Sequence, residues 1–530
     1  MNPRMLEGSA RRFLPALLLV AVVVAVHGNA IQNGFVWDDK FIVVDNPDTR
    51  DLSRLPDVLL SPDEMKPYYR PLTRASFLVD YRVFGLNPRA YHLVNLVLHA
   101  AAVLLLYALG LRLFGARPPA LVAALLLAVH PIHSEAVAFV SARNNIFALC
   151  FALLALLLFI DAAERRSQAR AALSAVALLF AMLAKEPGLM ALPVLALWLL
   201  VPALPGSKAG PRRWRLLLPH AAAVALYFGL RTAALGAPVA SAGVLPGLWT
   251  RLAQNYYVLP RYLLLALFPR DLGPYHEVPA NYATLWWLPL IWTAIALTVV
   301  LVARRPSTAA VLGLLWLAMN LAPIVNIVPI PSTSMAERFF YIPAAGLWLL
   351  VADLARRASA RIGARAFAAV GVVAAVALGL RTSRRDRDWR DDVTLFRSAI
   401  AAEPASLTAH FNYGNALKDK GAFAEARQQW QAALAIDPQD PGTHAQLGTL
   451  AAVRGDYGAA ERHYRIALRG DGSLSEAHLN LARICERSGR TQEAREHYLA
   501  AALDPTFSEQ ARSRLQALAW PNATPAPAAK

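Results

Sequence analysis

The chain has 530 residues, 56% of them hydrophobic and only 17% charged, with a formal net charge of +17. This balance excludes an ordinary soluble protein, and because the Lys and Arg fall in short clusters between apolar runs, they read as topology signals and not as a nucleic-acid surface. Cys150 lies in an apolar segment and Cys485 in the polar C-terminal part, which excludes a disulfide framework and a CxxC metal site.

The first predicted element is the apolar run 13–31. The stretch "RRFLPALLLVAVVVAVHGNA" ends in small residues as a secretory signal does. Its apolar core is longer than the ~7 to 15 residues of such a signal, so it is read as a retained span. A span needs about 20 mostly apolar residues. Runs of that kind recur at 92–111, 119–138, 144–160, 170–184, 188–205, 216–234, 286–303, 308–328, 339–354 and 366–380. They predict an all-α, polytopic bundle of about eleven spans over residues 1–380. Arg11 and Arg12, Arg112 and Arg117, Arg165, Arg166 and Arg170, then Lys208, Arg212, Arg213 and Arg215 share one side, which the positive-inside rule makes cytoplasmic. Residues 251–268 break the pattern with Arg251, Asn255 and Arg261. Charge counting alone nearly balances a crossing against an interfacial segment there.

Between the first two spans, residues 32–91 are too long for a mere connection. Residues 37–64 hold eight acids (Asp38, Asp39, Asp45, Asp48, Asp51, Asp57, Asp63, Glu64) against Lys40, Arg50 and Arg54, and the next stretch reverses sign with Lys66, Arg70, Arg74, Arg82 and Arg89. An acid centre beside a basic, aromatic strip suits a site that deprotonates one substrate while holding the phosphate of another. The same charges also suit a solvated loop. Further polar groups fall where predicted helices meet the outer surface: His130, His133 and Glu135, then Arg143, Lys185, Glu186, Glu337 and Arg338. Such groups are costly near lipid unless paired or functional. His130 and His133 lack the HExxH pattern or a clear third ligand, so zinc is not assigned. His92 and His99 are expected to pack between helices.

After residue 380 a period of 34 residues sets in. Gly414 and Gly448 recur at that spacing, as do Gly421, Gly455 and Gly489, Ala426, Ala460 and Ala494, and Trp430, Tyr464 and Tyr498. These predict a tetratricopeptide α-solenoid over 381–520, with about three repeats after a half repeat marked by Phe396, Ala399 and Pro404. Residues 521–530 read as a disordered tail.

The segments "FVWDDKFIVVDNP", "YYRPLTRASFLVDYRVFGLNPRAYHLVNLVLHA", "HPIHSEAVAFVSARNN", "AKEPG" and "AERFFYIP", in this order and ahead of the repeats, resemble the transmembrane and tetratricopeptide repeat (TMTC) proteins, O-mannosyltransferases of the GT-C class. The Ala- and Arg-rich composition is that expected of a bacterial relative in the inner membrane. The resemblance implies a GT-C-like fold, a polyprenyl-phosphate-linked sugar donor and inverting transfer to a protein hydroxyl on the non-cytoplasmic side. Carried onto this chain, it implies Asp38 and Asp39 as the catalytic acids. Arg338, Arg70, Arg74 and Lys185 are the implied phosphate-binding cations. His130, His133, Glu135, Arg143, Glu186, His276 and Glu337 are the implied sugar and acceptor pocket. Some GT-C relatives use a divalent metal and others do not, so Mg or Mn at Asp38/Asp39 stays open. The eleven-span topology follows from the resemblance, since only it puts His276, Glu337 and Arg338 on the side of the acid pair and the repeats outside. There the repeats are expected to recruit the acceptor protein. Two other classes compete. A membrane-anchored scaffold needs only one span, and a transporter would carry more ionisable residues in mid-span.

Overall fold

The computed structural model describes residues 3–62, 68–200, 213–236, 247–279, 281–324 and 335–519. They form two compact units, residues 1–395 and 396–530. The first therefore continues past the expected boundary at 380.

Among the described residues of the first unit, six helices are long and apolar enough to cross a membrane, or seven if one bent pair counts as a single span. It is an integral membrane protein. Four more of the expected spans are met by shorter apolar helices: Gln168–Ala184, Glu186–Leu199, Leu288–Arg304 and Thr308–Leu321. At a rise of about 1.5 Å per residue they fall short of a full crossing by themselves. Parts of 188–205 and 308–328 lie outside the described residues.

The local sequence explains where these helices stop and how closely they pack. Asn87 caps Pro88–Phe114 by accepting from the Arg89 N–H at 3.2 Å, and Gly115, at φ 61°, ends it. Arg117–Val129 stops because Pro131 forces His130 into extended backbone (φ −81°, ψ 127°), and the chain bends by 53° before Ser134–Ala138. The whole stretch from His130 to Ile146 is consequently buried, polar side chains included. Gly313 and Gly346 let Thr308–Leu321 and Tyr341–Ile362 meet backbone to backbone. A Cβ on Gly346 would lie 2.5 Å from the Gly313 carbonyl oxygen. This close approach anchors the N-terminal half of the helix that follows the turn Glu337–Phe340, which bears Arg338.

The expected first loop is largely ordered. A helical turn at Lys40–Val44 and helices Leu55–Leu60 and Pro71–Phe84 fold it against the bundle. Leu248–Leu267 is a 20-residue helix but is not among those apolar enough to span. Its role in the topology follows from one contact. The Arg338 guanidinium lies 5.3 Å from the centre of the Trp37 ring, so the chain crosses an even number of times between these residues. If the eight apolar segments between them all cross, Leu248–Leu267 does not.

The second unit contains three helical hairpins: Leu407–Asp419 with Phe423–Ile436, Pro441–Val453 with Tyr457–Gly470, and Ser475–Arg487 with Thr491–Ala501. Helix Asp392–Ala402 precedes them and Pro505–Ala519 closes the array. The turn residues Gly421, Gly455 and Gly489 all have positive φ, from 75° to 80°. The helix glycines serve a different purpose. Gly414 and Gly448 make room for the rings of Trp430 and Tyr464, which fill the space inside each hairpin.

Candidate active site

The loop reaches its acid pair through Trp37, a non-glycine residue held at φ +51°. Its indole stacks on Phe139 at 5.4 Å, meets the edge of Tyr275 at 5.0 Å and lies beneath Arg338. The two aspartates that follow have different fates. Asp39 is fully buried. Its Oδ1 accepts from the Ser141 N–H at 2.7 Å and hydroxyl at 2.6 Å, and its Oδ2 from the Val36 N–H at 3.3 Å. Burial raises its pKa to about 7 against those three hydrogen bonds, with a smaller push from Asp38. Asp38 is half-buried, and among the described residues it has no hydrogen-bond partner. Burial raises its pKa too, and the charge of Arg338 pulls the other way.

Opposite Asp38, Arg338 is anchored from behind. Its guanidinium pairs with Glu135, its main-chain N–H donates to the other Glu135 oxygen at 2.7 Å, and the Phe339 ring lies 5.1 Å away. Glu337 faces away from Arg338, accepting from the Gly273 N–H at 2.5 Å with His276 Nε2 at 3.3 Å. That pair fixes the segment bearing Tyr275. Lys185, 6% exposed, donates to Asn145 at 2.6 Å and lies 5.1 Å from the Phe339 ring. Burial, reinforced by Arg70 and Arg338, holds its pKa well below the usual lysine range. Arg70 forks onto Glu186 at 3.2 and 3.1 Å and lies 4.1 Å from the Tyr68 ring. Burial raises the pKa of Tyr68, with smaller influences from Arg70, Glu186, Arg338 and Asp38. The result is one half-buried carboxylate near Arg338, with Glu135 anchoring that arginine and Glu186 anchoring Arg70.

Some expected site residues lie elsewhere. Arg74 is spent on the far end of the loop, donating to the Ser61 carbonyl and hydroxyl, both at 3.1 Å, and to the Pro62 carbonyl at 2.8 Å. Arg143 is fully buried, bound to Asn95 at 2.7 Å, Asp80 at 2.5 Å, Ser76 at 3.1 Å and the Tyr91 carbonyl at 3.1 Å. It is walled in by these four partners and braces the loop helix against the bundle. His130 and His133 are sealed against Trp348, whose indole N–H donates to His133 Nε2 at 3.0 Å. His92 and His99 pack between helices, as expected.

Other residues of the site were not expected. Trp37, Tyr68 and Ser141 sit inside the motifs quoted above, where only adjacency to the assigned residues pointed at them. Arg231 lies 3.6 Å from Glu186, and a lone arginine within an apolar run was a signal in itself.

A divalent cation on Asp38 and Asp39 does not fit this donor set. Both oxygens of Asp39 receive N–H or O–H donors, and no group of three His, Cys, Asp or Glu among the described residues has metal-holding geometry.

Comparison with known proteins finds likenesses in both units. The family model described as dolichyl-phosphate-mannose-protein mannosyltransferase matches residues 75–233, and tetratricopeptide repeat models match 414–451 and 446–506. A protein O-mannosyl-transferase of Caenorhabditis elegans is 26% identical over 80% of this chain and 63% of its own length. The protein O-mannosyl-transferase TMTC1 of Homo sapiens is 27% identical over 78% of this chain and 54% of its own. The chain thus spans about half to three-fifths of these curated relatives. The apo oligosaccharyltransferase of Archaeoglobus fulgidus superposes with a TM-score of 0.42 at 13% identity, covering 71% of this chain and 56% of that one, and carries no further argument. In its matched models and its repeats, the chain is similar along most of its length to the protein O-mannosyl-transferases.

Proposed function

We propose that the first unit transfers a sugar from a polyprenyl-phosphate donor to a hydroxyl of an acceptor protein, with inversion, at the non-cytoplasmic face of the membrane. Mannose is the sugar named in the relatives, and the bacterial inner membrane, with loop and repeats in the periplasm, is the setting the composition favours. The observation that carries this reading is the half-buried Asp38 carboxylate next to Trp37, whose ring lies 5.3 Å from the Arg338 guanidinium, with Lys185 and Arg338 each 5.1 Å from the Phe339 ring.

Asp38 accepts the proton of the acceptor hydroxyl as its oxygen attacks the anomeric carbon. The bond from that carbon to the phosphate oxygen breaks, and the lipid phosphate leaves with the electron pair. A raised pKa makes Asp38 a stronger base than an ordinary carboxylate. Arg338, Lys185 and Arg70 stabilise the charge growing on the departing phosphate. The anionic phosphate of the donor favours the protonated form of Lys185 against the burial that holds its pKa low. Asp39 holds the loop through Ser141 and does not touch the acceptor. The repeats recruit the acceptor protein, because a solenoid offers an extended surface for a peptide.

The test compares wild type with Asp38→Asn in vesicles supplied with a polyprenyl-phosphate-linked mannose, scoring acceptor glycopeptides by mass spectrometry. The expected result is insertion as in wild type and transfer lowered about 10²- to 10⁴-fold. Undiminished transfer by the variant rejects the assignment.

A further inference from the structure

The segment that follows the last apolar helix turns back onto the acid-bearing loop. His27 Nδ1 lies 2.8 Å from Asp386 Oδ2, and Asn33 Nδ2 donates to the Asp386 carbonyl at 2.9 Å. The Gly34 N–H donates to the Arg390 carbonyl at 3.0 Å. The Trp37 N–H then donates to Asp392 Oδ1 at 2.7 Å, and the other oxygen of Asp392 pairs with Lys40. These contacts follow the loop step by step up to the residues on either side of the acid pair.

Asp391 does something else. Its Oδ1 accepts from the Thr394 N–H at 2.8 Å and the Thr394 hydroxyl at 2.9 Å, capping the next helix. Of these two adjacent aspartates, only Asp392 faces the loop.

We propose that Asp392 is a positioning residue for the transfer reaction, holding Trp37 in its left-handed conformation so that Asp38 points at the space below Arg338. A tryptophan at φ +51° persists only where its surroundings over-determine it. On the ring side, Phe139, Tyr275 and Arg338 supply that constraint, and on the main-chain side Asp392 supplies the hydrogen bond. Asp392 is 355 residues from Trp37 in sequence, in a stretch that reads as the start of the repeat region. Its role rests on the transferase reading above.

The experiment compares Asp392→Ala with Asp392→Asn in the full-length protein, whose Asn Oδ1 still accepts the Trp37 N–H. Two readouts are taken: steady-state transfer from a polyprenyl-phosphate-linked mannose, and amide hydrogen exchange over residues 36–40. For Asp392→Ala, kcat falls about 10- to 100-fold with KM for the donor unchanged, as expected when a reacting group is displaced by about 1 Å. Exchange at 36–40 speeds up while exchange in the spans stays as in wild type. Asp392→Asn recovers most of the rate and of the protection. Unchanged kcat and unchanged exchange in Asp392→Ala overturn the proposal, and so do equal losses in both variants. If wild type transfers no sugar but Asp392→Ala alone loosens residues 36–40, the transferase reading fails and the hold on the loop stands.

Discussion

Charge is handled in opposite ways by the two units. In the repeats, Arg465 and Arg490 bracket Glu461 and Glu493 at the surface, where solvent screens them, and the interior is made of alanines, Trp430, Tyr464 and Tyr498. In the first unit, Arg143, Glu135, Glu337, Asp39 and Lys185 are buried. Burying an ion pair costs about as much as the pair returns, so stability does not account for so many. Apolar packing stabilises the repeats, whereas the first unit carries costly polar groups, which the proposed function assigns to the reaction or to holding the groups that perform it.

That contrast predicts which changes separate fold from function. Trp430→Ala, which empties the interior of the first hairpin, should destabilise the repeats by about 3–5 kcal/mol, read by thermal melting, without altering donor affinity. Arg338→Gln should do the reverse, lowering kcat about 10²- to 10³-fold, or about 2.7–4 kcal/mol, while the melting of the repeats stays put.

The pH profile sharpens the same point. Because burial raises the pKa of Asp38, the ascending limb of the rate should lie above the ordinary aspartate value near 4. Since Arg338 pulls that pKa down, the residual activity of Arg338→Gln should rise with pH later than that of wild type. A limb that moves the other way would separate Arg338 from Asp38.

The smallest effect belongs to the surface network of the repeats. Hydrogen bonds from Arg490 depress the pKa of Glu461 to about 2. A depressed carboxylate stabilises the fold above its unfolded pKa near 4.3, and that contribution is lost as pH falls through about 2. After discounting for screening, Glu461→Gln should cost less than about 1 kcal/mol at neutral pH, with a flatter acid limb in the melting curve.

How much of this was legible in the sequence follows from the range of the interactions. The apolar runs and the 34-residue period are local regularities, and each has its helix or hairpin in the structure. Asp38 and Asp39 could not be told apart, because what separates them is Ser141, 102 residues away. Arg74 was expected to bind phosphate and Arg143 to line the sugar and acceptor pocket, and the sequence could not show otherwise for the same reason. The partners that occupy them, Ser61 and Pro62 for one, Asp80 and Asn95 for the other, are set by how the loop packs. Residues 386–392 read as part of the repeat region, since a linker and a clamp have the same composition. Arg231 was the exception. A single arginine in an apolar run is visible without a structure.

The account stands on Asp38 and Arg338 sharing one outward-facing site. Single cysteines at 38 and at 338, in separate variants lacking Cys150 and Cys485, can be probed in sealed, oriented vesicles with a membrane-impermeant thiol reagent. Labelling of both positions from the non-cytoplasmic side, and of neither from the other, is the predicted result. Labelling of the two from opposite sides would contradict it.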